Sequence, residues 1–217
     1  GVIVATGDTK VVERGKAEGL YVNTTGVGIL SPGFRPAPDC ARVGDVVIVS
    51  GPIGRHGIAV MAVRGAIDFE VDVESDSAAL WPLVAALRGA VGDAVHVLRD
   101  PTRGGVASAL NEIAQASRVG VALVGDAIPI PEPVAGACEM LGFDPLYVAN
   151  EGVLVAIVEA AAATAALDAL RSHPLGAAEV PVGRVVEAHP GMVVLKTRIG
   201  GTRVVDLLPG EQLPRIC

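Results

Sequence analysis

The sequence Gly44-Asp-Val-Val-Ile-Val-Ser-Gly51 decides the fold of this chain. Residues 45–50, Asp-Val-Val-Ile-Val-Ser, are interpreted as a continuous apolar run of strand length, bounded by Gly44 and Gly51. An unbroken apolar run, unlike an alternation of apolar and polar residues, is typical of a strand covered on both faces. We therefore predict a buried strand here, with other elements packed on both sides of its sheet.

Strand and helix patterns alternate along the chain that follows. The predicted strands cover residues 94–98, 121–124, 153–159, 182–186, 193–197 and 203–207. The predicted helices cover residues 57–64, 105–117, 134–141 and 160–171, and a further helix is capped by Ser75 or Ser77 and ended by Gly89. Because no G-x-G-x-x-G motif opens these helices, the pattern predicts an α+β (α/β-like) fold, a mixed sheet covered by helices, and not an evident Rossmann domain.

The sequence divides into three predicted parts. Residues 1–38 contain short strand patterns at 2–5 and 20–23 and end in a proline-rich segment, 31–38, that is typical of a linker. Residues 39–206 form the main domain, and residues 207–217 form a tail. Because the chain opens within a strand pattern and lacks an initiator Met, we expect an N-terminal portion to precede it.

Composition narrows the class of protein. The net charge of −7 and the scattered Lys and Arg residues argue against general nucleic-acid binding. No apolar run approaches the ~20 residues that a membrane-spanning helix needs. The three cysteines, Cys40, Cys138 and Cys217, are too widely spaced for a disulfide framework or a zinc site, so a cytoplasmic location is the default expectation.

The C-terminal tail ends in a cysteine. Residues 207–217 contain two prolines and a glycine, which disfavour helix and strand, so we expect an extended and flexible arm. A thiol at its tip can reach a pocket on this protein or on a partner, where a basic site could convert it to the nucleophilic thiolate. The alternative is a free cysteine that ends the chain by chance.

Two loops carry residues suited to phosphate and metal. In Gly7-Asp-Thr-Lys10, Asp8 offers a hard oxygen ligand for Mg²⁺ and Lys10 a charge for phosphate, although an exposed β-turn is the alternative. Arg99-Asp-Pro-Thr-Arg-Gly-Gly105 leads into a predicted helix, whose N-terminus favours an anion. There Asp100 could hold a metal and Arg103 a phosphate or carboxylate. The alternative is that Asp100 or Thr102 only caps the helix.

A third loop carries a candidate acid or base. Glu151 in Asn150-Glu-Gly152 precedes an apolar strand, where partial desolvation would suit its carboxylate to proton transfer, although an ordinary turn is an equal alternative. His56 could contact a ligand or cap a helix, whereas His96 alternates with valines on a strand and is interpreted as structural. The acidic residues at 72–76 are interpreted as a solvated helix entry.

Taken together and in order, these motifs resemble the HypE family. The resemblance rests on Gly7-Asp-Thr-Lys10, Asn23-Thr-Thr-Gly26, Gly44–Gly51, Arg99–Gly105, Ala149-Asn-Glu-Gly152 and the terminal Pro214-Arg-Ile-Cys217. It covers the whole chain, and the terminal motif is its most specific element because both its sequence and its position agree. HypE proteins mature [NiFe]-hydrogenases and belong to the aminoimidazole ribonucleotide synthetase-like superfamily.

The resemblance implies a fold, an activity and partners. It implies a superfamily C-terminal domain, preceded by the remnant of an N-terminal ATP-binding and dimerisation domain. The implied enzyme is an ATP-dependent carbamoyl dehydratase of the lyase type, with ATP and Mg²⁺ as cofactors. HypF donates a carbamoyl group to the terminal thiol, dehydration gives a thiocyanate, and cyanide passes to iron on a HypC–HypD complex. HypE chains extend further at the N-terminus and form homodimers, so we expect this chain to be impaired.

The resemblance also implies roles for single residues. Cys217 is the carrier thiol, and Glu151 and Lys10 remove a proton from the carbamoyl nitrogen and stabilise charge near it. The implied nucleotide contacts are Asp8, Thr9, Arg103 and Asn150, and the implied Mg²⁺ ligands are Asp8 and Asp100. Two alternatives stay open: a docking module without catalysis, and a small-molecule kinase or synthetase of the same superfamily.

Overall fold

The computed structural model describes residues 2–29, 32–65 and 72–207. The chain forms two compact units, Gly1–Leu30 and Ser31–Cys217. The predicted tail beyond Leu207, and Cys217 with it, lies outside the described residues.

The first unit is irregular. Its described residues are exposed and contain a turn in which the Lys16 amide donates to the Glu13 carbonyl at 3.0 Å. The strands predicted at 2–5 and 20–23 are wrong, since neither forms in the described part of this unit. A strand is stable only when a neighbour satisfies its backbone and its apolar face is covered. Here Ile3 and Val22 remain 89% and 74% exposed, so neither condition is met.

A mixed seven-stranded sheet forms the centre of the second unit, counted over its described residues. Its strands are β1 (Val46–Val49), β2 (Val95–Arg99), β3 (Gly120–Val124), β4 (Val155–Val158), β5 (Val180–Val186), β6 (Val193–Lys196) and β7 (Thr202–Val205). The spatial order is β2-β4-β1-β5-β3-β6-β7. The pair β3–β6 is parallel and the other neighbouring pairs are antiparallel.

Helices cover both faces of this sheet. The helices of the described part are α1 (Arg55–Val63), α2 (Trp81–Val91), α3 (Gly105–Ser117), α4 (Glu132–Leu141) and α5 (Ala163–Arg171). Helix α3 packs on one face and α2 and α5 on the other, whereas α1 and α4 pack against each other in a third cluster. Successive β1 side chains point to opposite faces, so Val47 and Val49 join the core that includes α3, whereas Val46 and Ile48 join the core that includes α2 and α5. The prediction of a strand buried on both faces is therefore confirmed.

Two features of the second unit depart from the sequence prediction. Helix α2 begins at Trp81, not at Ser75 or Ser77, and it continues past Gly89 to Val91. Residues preceding it are held outside the helix, because the Ala78 amide donates to the Glu151 carbonyl at 3.4 Å. The proline-rich segment also packs in part on this unit, since Phe34 is buried in the core.

The sequence predicts no membrane-spanning helix. Within residues 2–29, 32–65 and 72–207, no helix combines the length and the apolar character that crossing a membrane requires.

Candidate functional site

The sheet topology brings together, at one end of the strands, three loops that are far apart in the sequence. Strand β4 runs antiparallel between β1 and β2, with Val155 paired to both Val49 and Arg99. The chain entering β4 therefore lies beside the chain leaving β1 and the chain leaving β2. We call residues 50–54, 100–104 and 148–154 the junction loops. They carry four of the predicted site residues: Asp100, Arg103, Asn150 and Glu151.

Asn150 ties the three junction loops together. Its side chain is fully buried, and its Oδ1 accepts from the Gly54 amide at 2.7 Å. Its Nδ2 donates to the carbonyls of Pro101 and Val148, each at 3.0 Å. A buried amide with these partners satisfies backbone groups that water cannot reach. In this structure Asn150 holds the loops in position and its amide does not face solvent, and its predicted contact with nucleotide stays a prediction.

Ser50 reinforces the junction from the end of β1. Its hydroxyl accepts from the Leu154 amide at 2.9 Å, and its own amide donates to the Leu154 carbonyl at 2.9 Å. Helix α1 is attached in the same way, because the Gly57 amide donates to the Ala149 carbonyl at 3.1 Å. The loop that carries Glu151 is therefore fixed before and after this residue.

Glu151 itself is half-buried, and a second segment lies against it. Its amide donates to Asp76 Oδ1 at 2.9 Å. A side chain at Gly152 would collide with the Asp76 carbonyl, so the segment around Asp76 lies directly on the glycine. The Glu151 backbone is thus held by both the junction loops and this covering segment.

Two buried polar atoms beside Glu151 have no hydrogen-bond partner among the described residues. They are Asp76 Oδ2 and His56 Nε2. His56 belongs to the same cluster, because its Nδ1 lies 2.9 Å from the hydroxyl of Ser75. Buried polar atoms are normally paired, and an unpaired one indicates a missing water or ligand. These atoms are consistent with a polar ligand near Glu151.

The second junction loop offers an anion site at the start of α3. The N-cap residue is Gly104, in the left-handed conformation, with no side-chain cap. The alternative in which Asp100 or Thr102 only caps this helix is therefore wrong. Asp100 is 60% exposed, with its Oδ1 3.9 Å from Arg99 Nη1, and the Arg103 side chain is also exposed. The helix N-terminus favours an anion.

The remaining predicted site residues lie elsewhere. Asp8, Thr9 and Lys10 belong to the first unit, where all three are exposed and the Thr9 amide donates to Asp8 Oδ1 at 2.8 Å. The structure therefore brings together Asp100, Arg103, Asn150 and Glu151 within the second unit.

The predicted Mg²⁺ ligands are the carboxylates of Asp8 and Asp100. No group of three or more His, Cys, Asp or Glu residues suited to a metal occurs in the described parts of the chain. Mg²⁺ on a nucleotide needs only one or two protein carboxylates, because phosphate and water supply its other ligands. The exposed carboxylates of Asp8 and Asp100 are each compatible with that limited role.

Sequence reasoning missed the residues that surround Glu151. Ser75 was interpreted as a possible helix cap and Asp76 as part of a solvated helix entry, yet Ser75 contacts His56 and Asp76 contacts Glu151. Asp76 and Glu151 are 75 positions apart. No local pattern could indicate that contact, although the acidic run itself marked the segment as unusual.

The fold and the junction define a class of protein. Residues 42–196 match the family described as AIR synthase related protein, C-terminal domain. The chain belongs to this family.

Within that class, the chain is similar to HypE proteins. It is 52% identical to the carbamoyl dehydratase HypE of Azotobacter vinelandii, over 100% of this chain and 63% of that protein. A crystal structure of the hydrogenase maturation protein HypE in complex with ATP is 45% identical, with a TM-score of 0.78, and covers 84% of this chain and 55% of that one. A crystal structure of a HypE–HypF complex is 41% identical, with a TM-score of 0.78, and covers 82% of this chain and 57% of that one. The resemblance and the α+β fold predicted from the sequence are thereby confirmed.

Proposed function

We propose that this chain takes part in the ATP-dependent dehydration of a carbamoyl group on Cys217 to a thiocyanate. The product supplies cyanide for the maturation of [NiFe]-hydrogenases. HypF is the proposed carbamoyl donor, a HypC–HypD complex the cyanide acceptor, and a homodimer the working form. The observation that carries the proposal is the junction itself, where half-buried Glu151 lies at the same sheet edge as the anion-favouring start of α3.

Glu151 is the proposed base in this reaction. Forming a nitrile from a primary amide removes both protons from nitrogen and the oxygen from carbon, so a base must act at the nitrogen. A half-buried carboxylate on a fixed backbone is suited to this task, because its position is set before the substrate arrives. Lys10 is the proposed group that stabilises charge near the carbamoyl group.

The nucleotide site is proposed to include the start of α3. ATP, when bound, supplies the phosphoryl group that makes the amide oxygen a good leaving group. Within the second unit, the helix N-terminus and Arg103 are proposed to bind its negative charge. Asp8 and Thr9 of the first unit are also proposed nucleotide contacts. Asp8 and Asp100 are the proposed carboxylate ligands of Mg²⁺, which neutralises phosphate charge. Asn150 acts indirectly, by holding the loops that carry Asp100 and Glu151.

The decisive experiment follows the mass of the protein. The purified protein is incubated with HypF, carbamoyl phosphate and ATP, and its intact mass and C-terminal peptide are measured over time. We expect a gain of one carbamoyl group on Cys217, followed by loss of one water. Replacement of Glu151 by Gln should leave the first change intact and slow the second by roughly 10²–10⁴-fold.

A matched control and two alternatives sharpen this test. Glu159 is exposed and follows β4 at its other end, so E159Q should behave as the wild type. A docking module would catalyse no loss of water, and its affinity for a partner would be the same in E151Q. A small-molecule kinase or synthetase would keep its activity after alkylation of Cys217. Absence of any adduct on Cys217 would refute the proposal.

A further inference from the structure

Two buried side chains bind the main chain where strand β7 ends. Asn111 of helix α3 donates from Nδ2 to the Val205 carbonyl at 2.8 Å. The hydroxyl of Tyr147 donates to the Asp206 carbonyl, also at 2.8 Å. Among the described strands, β7 lies at the edge of the sheet and pairs with β6. The two side-chain bonds therefore fix the point at which the chain leaves the sheet.

The segment that carries Tyr147 is held to β7 at a second point. Asp144 accepts from the Leu146 amide at 3.0 Å through Oδ1, and its Oδ2 pairs with Arg203 of β7. Burial raises the pKa of Tyr147, and the negative charge of Asp144 adds to this effect. The hydroxyl therefore remains a hydrogen-bond donor at neutral pH.

These contacts join the start of the tail to the elements of the proposed site. The tail follows Asp206 directly, and the junction loop 148–154 follows Tyr147 directly. Glu151 comes four positions after Tyr147, which is at most about 15 Å of chain. Along α3, Asn111 lies six positions after Gly105, about 9 Å from the start of the helix.

The length of the tail suits these distances. Its eleven residues, 207–217, span at most about 36–40 Å when fully extended. A flexible chain of this length has an average end-to-end distance on the order of 20 Å. A tethered group has its highest effective concentration where the average reach of the tether matches the distance to be spanned. The position at which the tail begins therefore affects how often Cys217 meets the junction loops.

We propose that Asn111 and Tyr147 are positioning residues for the tail. They hold its start beside the junction loops and so raise the effective concentration of the Cys217 thiol there. Neither side chain touches the reacting atoms. The inference rests on the proposed function, because the tail is a carrier only if Cys217 receives the carbamoyl group.

Disulfide trapping tests the inference without HypF, ATP or a carbamoyl group. The full chain carries C40A, which removes a half-buried thiol, and D100C, which places a thiol at an exposed position of the junction loops. Cys138 is buried and serves as an internal reference. The equilibrium between Cys217 and the introduced thiol, measured in glutathione buffers by intact mass, gives their effective concentration.

The expected result is a loss of effective concentration when the two bonds are removed. It should fall about threefold in Y147F and at least about tenfold in N111A/Y147F. Tyr21 is the other tyrosine of the chain and is exposed, so Y21F is the matched control and should equal the parent. If N111A/Y147F does not fold, Y147F decides, because it keeps the buried ring.

A free peptide separates positioning from a general structural effect. A peptide of residues 207–217 should form its disulfide with the introduced thiol equally well in Y147F and the parent. A merely structural role would change the junction for the free and the attached tail alike. An unchanged effective concentration in Y147F, or a disulfide that joins two chains and doubles the mass, would overturn the proposal.

The link to the reaction is measured with Asp100 and Cys40 intact. In carbamoylated protein, Y147F should slow the loss of water by the same factor, about threefold, that it lowers the effective concentration. An unchanged rate beside a lower effective concentration would contradict the positioning role. Wild-type protein that accepts no carbamoyl group would refute the proposed function, whereas disulfide trapping would still decide whether these residues position the tail.

Discussion

The carboxylate of Asp76 holds the backbone of the proposed base. Its Oδ1 accepts from the Glu151 amide at 2.9 Å, whereas its Oδ2 is buried without a partner among the described residues. Loss of one such hydrogen bond costs about 1 kcal/mol of stability. Its effect on catalysis should be larger, because a misplaced base transfers protons slowly.

This contact leads to a prediction for two variants. D76A should slow the water-loss step at least about tenfold with a small change in stability, whereas D76N keeps the accepting oxygen and should retain most of the rate. Single-turnover mass measurements on carbamoylated protein give the rate of this step. The exposed residue Asp72 supplies the control D72A, which should match the wild type. If D76A dehydrates at the wild-type rate, the contact has no part in catalysis.

Because of Cys138, the free energy of unfolding should fall at alkaline pH. Burial, with a smaller contribution from the negative charge of Asp144, raises the pKa of this thiol from 9.0 to about 11. In the unfolded chain the thiol ionises near its ordinary pKa, while the folded chain keeps it neutral. The stabilisation is therefore complete below about pH 9 and is lost as the pH rises toward about 11.

Urea unfolding can measure this dependence. Between about pH 8 and about pH 10.5, the free energy of unfolding should fall by roughly 1–2 kcal/mol more in the wild type than in C138A. The substitution also opens a small cavity, so the two proteins are compared by slope and not by absolute stability. Equal slopes would show that Cys138 does not contribute.

Two helical glycines differ in what surrounds them. Gly105 opens α3 with a φ of 60°, and a side chain there would collide with the carbonyls of Leu146 and Val148. Gly136 lies within α4, where an added methyl group meets nothing within 4 Å. The first glycine is required by close packing, and the second is not.

The same substitution should therefore have opposite effects at these positions. G105A should lower the free energy of unfolding by about 2–4 kcal/mol, because backbone atoms must move and the residue retains a positive φ. G136A should raise it by roughly 0.5–1 kcal/mol, since alanine is the better helix former. Chemical denaturation of both variants measures this. A G105A protein as stable as the wild type would contradict the packing described for α3.

The sequence predicted the helices and strands whose formation depends on their own local pattern of residues. The apolar run in β1 and the spacing in α3 predicted those elements closely, because β1 is buried at every position and α3 buries its apolar residues at helical spacing. The start of α2 was wrong because residues 75–78 are held by the Glu151 loop, a contact that no local pattern encodes. The strand predicted at residues 2–5 was wrong because β structure depends on a neighbouring strand.

The candidate site shows the same limit. Glu151 and Asp100 were identified because each adjoins a recognisable strand or helix. The Asp76–Glu151 contact joins residues 75 positions apart, so the fold had to be known first.

The two units of the molecule should differ in their resistance to proteolysis. Residues 2–29 are exposed and irregular, whereas the second unit has its own core. Exposed irregular backbone is cleaved fastest. We therefore expect trypsin to cut after Lys10, Arg14 or Lys16 before it cuts after Arg99 or Arg171, both of which belong to regular elements.

A time course of peptide masses tests this order. The expected early product begins after one of the three basic sites and keeps the second unit intact. The urea-unfolded chain, in which all these bonds are accessible, provides the reference rates. Cleavage after Arg99 as early as after Lys16 would contradict the expected order.

The amide of Asn150 has a consequence for how this protein is studied by mutagenesis. The Asn150 side chain bonds to the main chain of all three junction loops. Replacing it would therefore displace Asp100, Arg103 and Glu151 together. A library scored by turnover would rank this position with groups that touch the reactant. Scoring the same library by thermal stability would show that Asn150 acts by stabilising the structure.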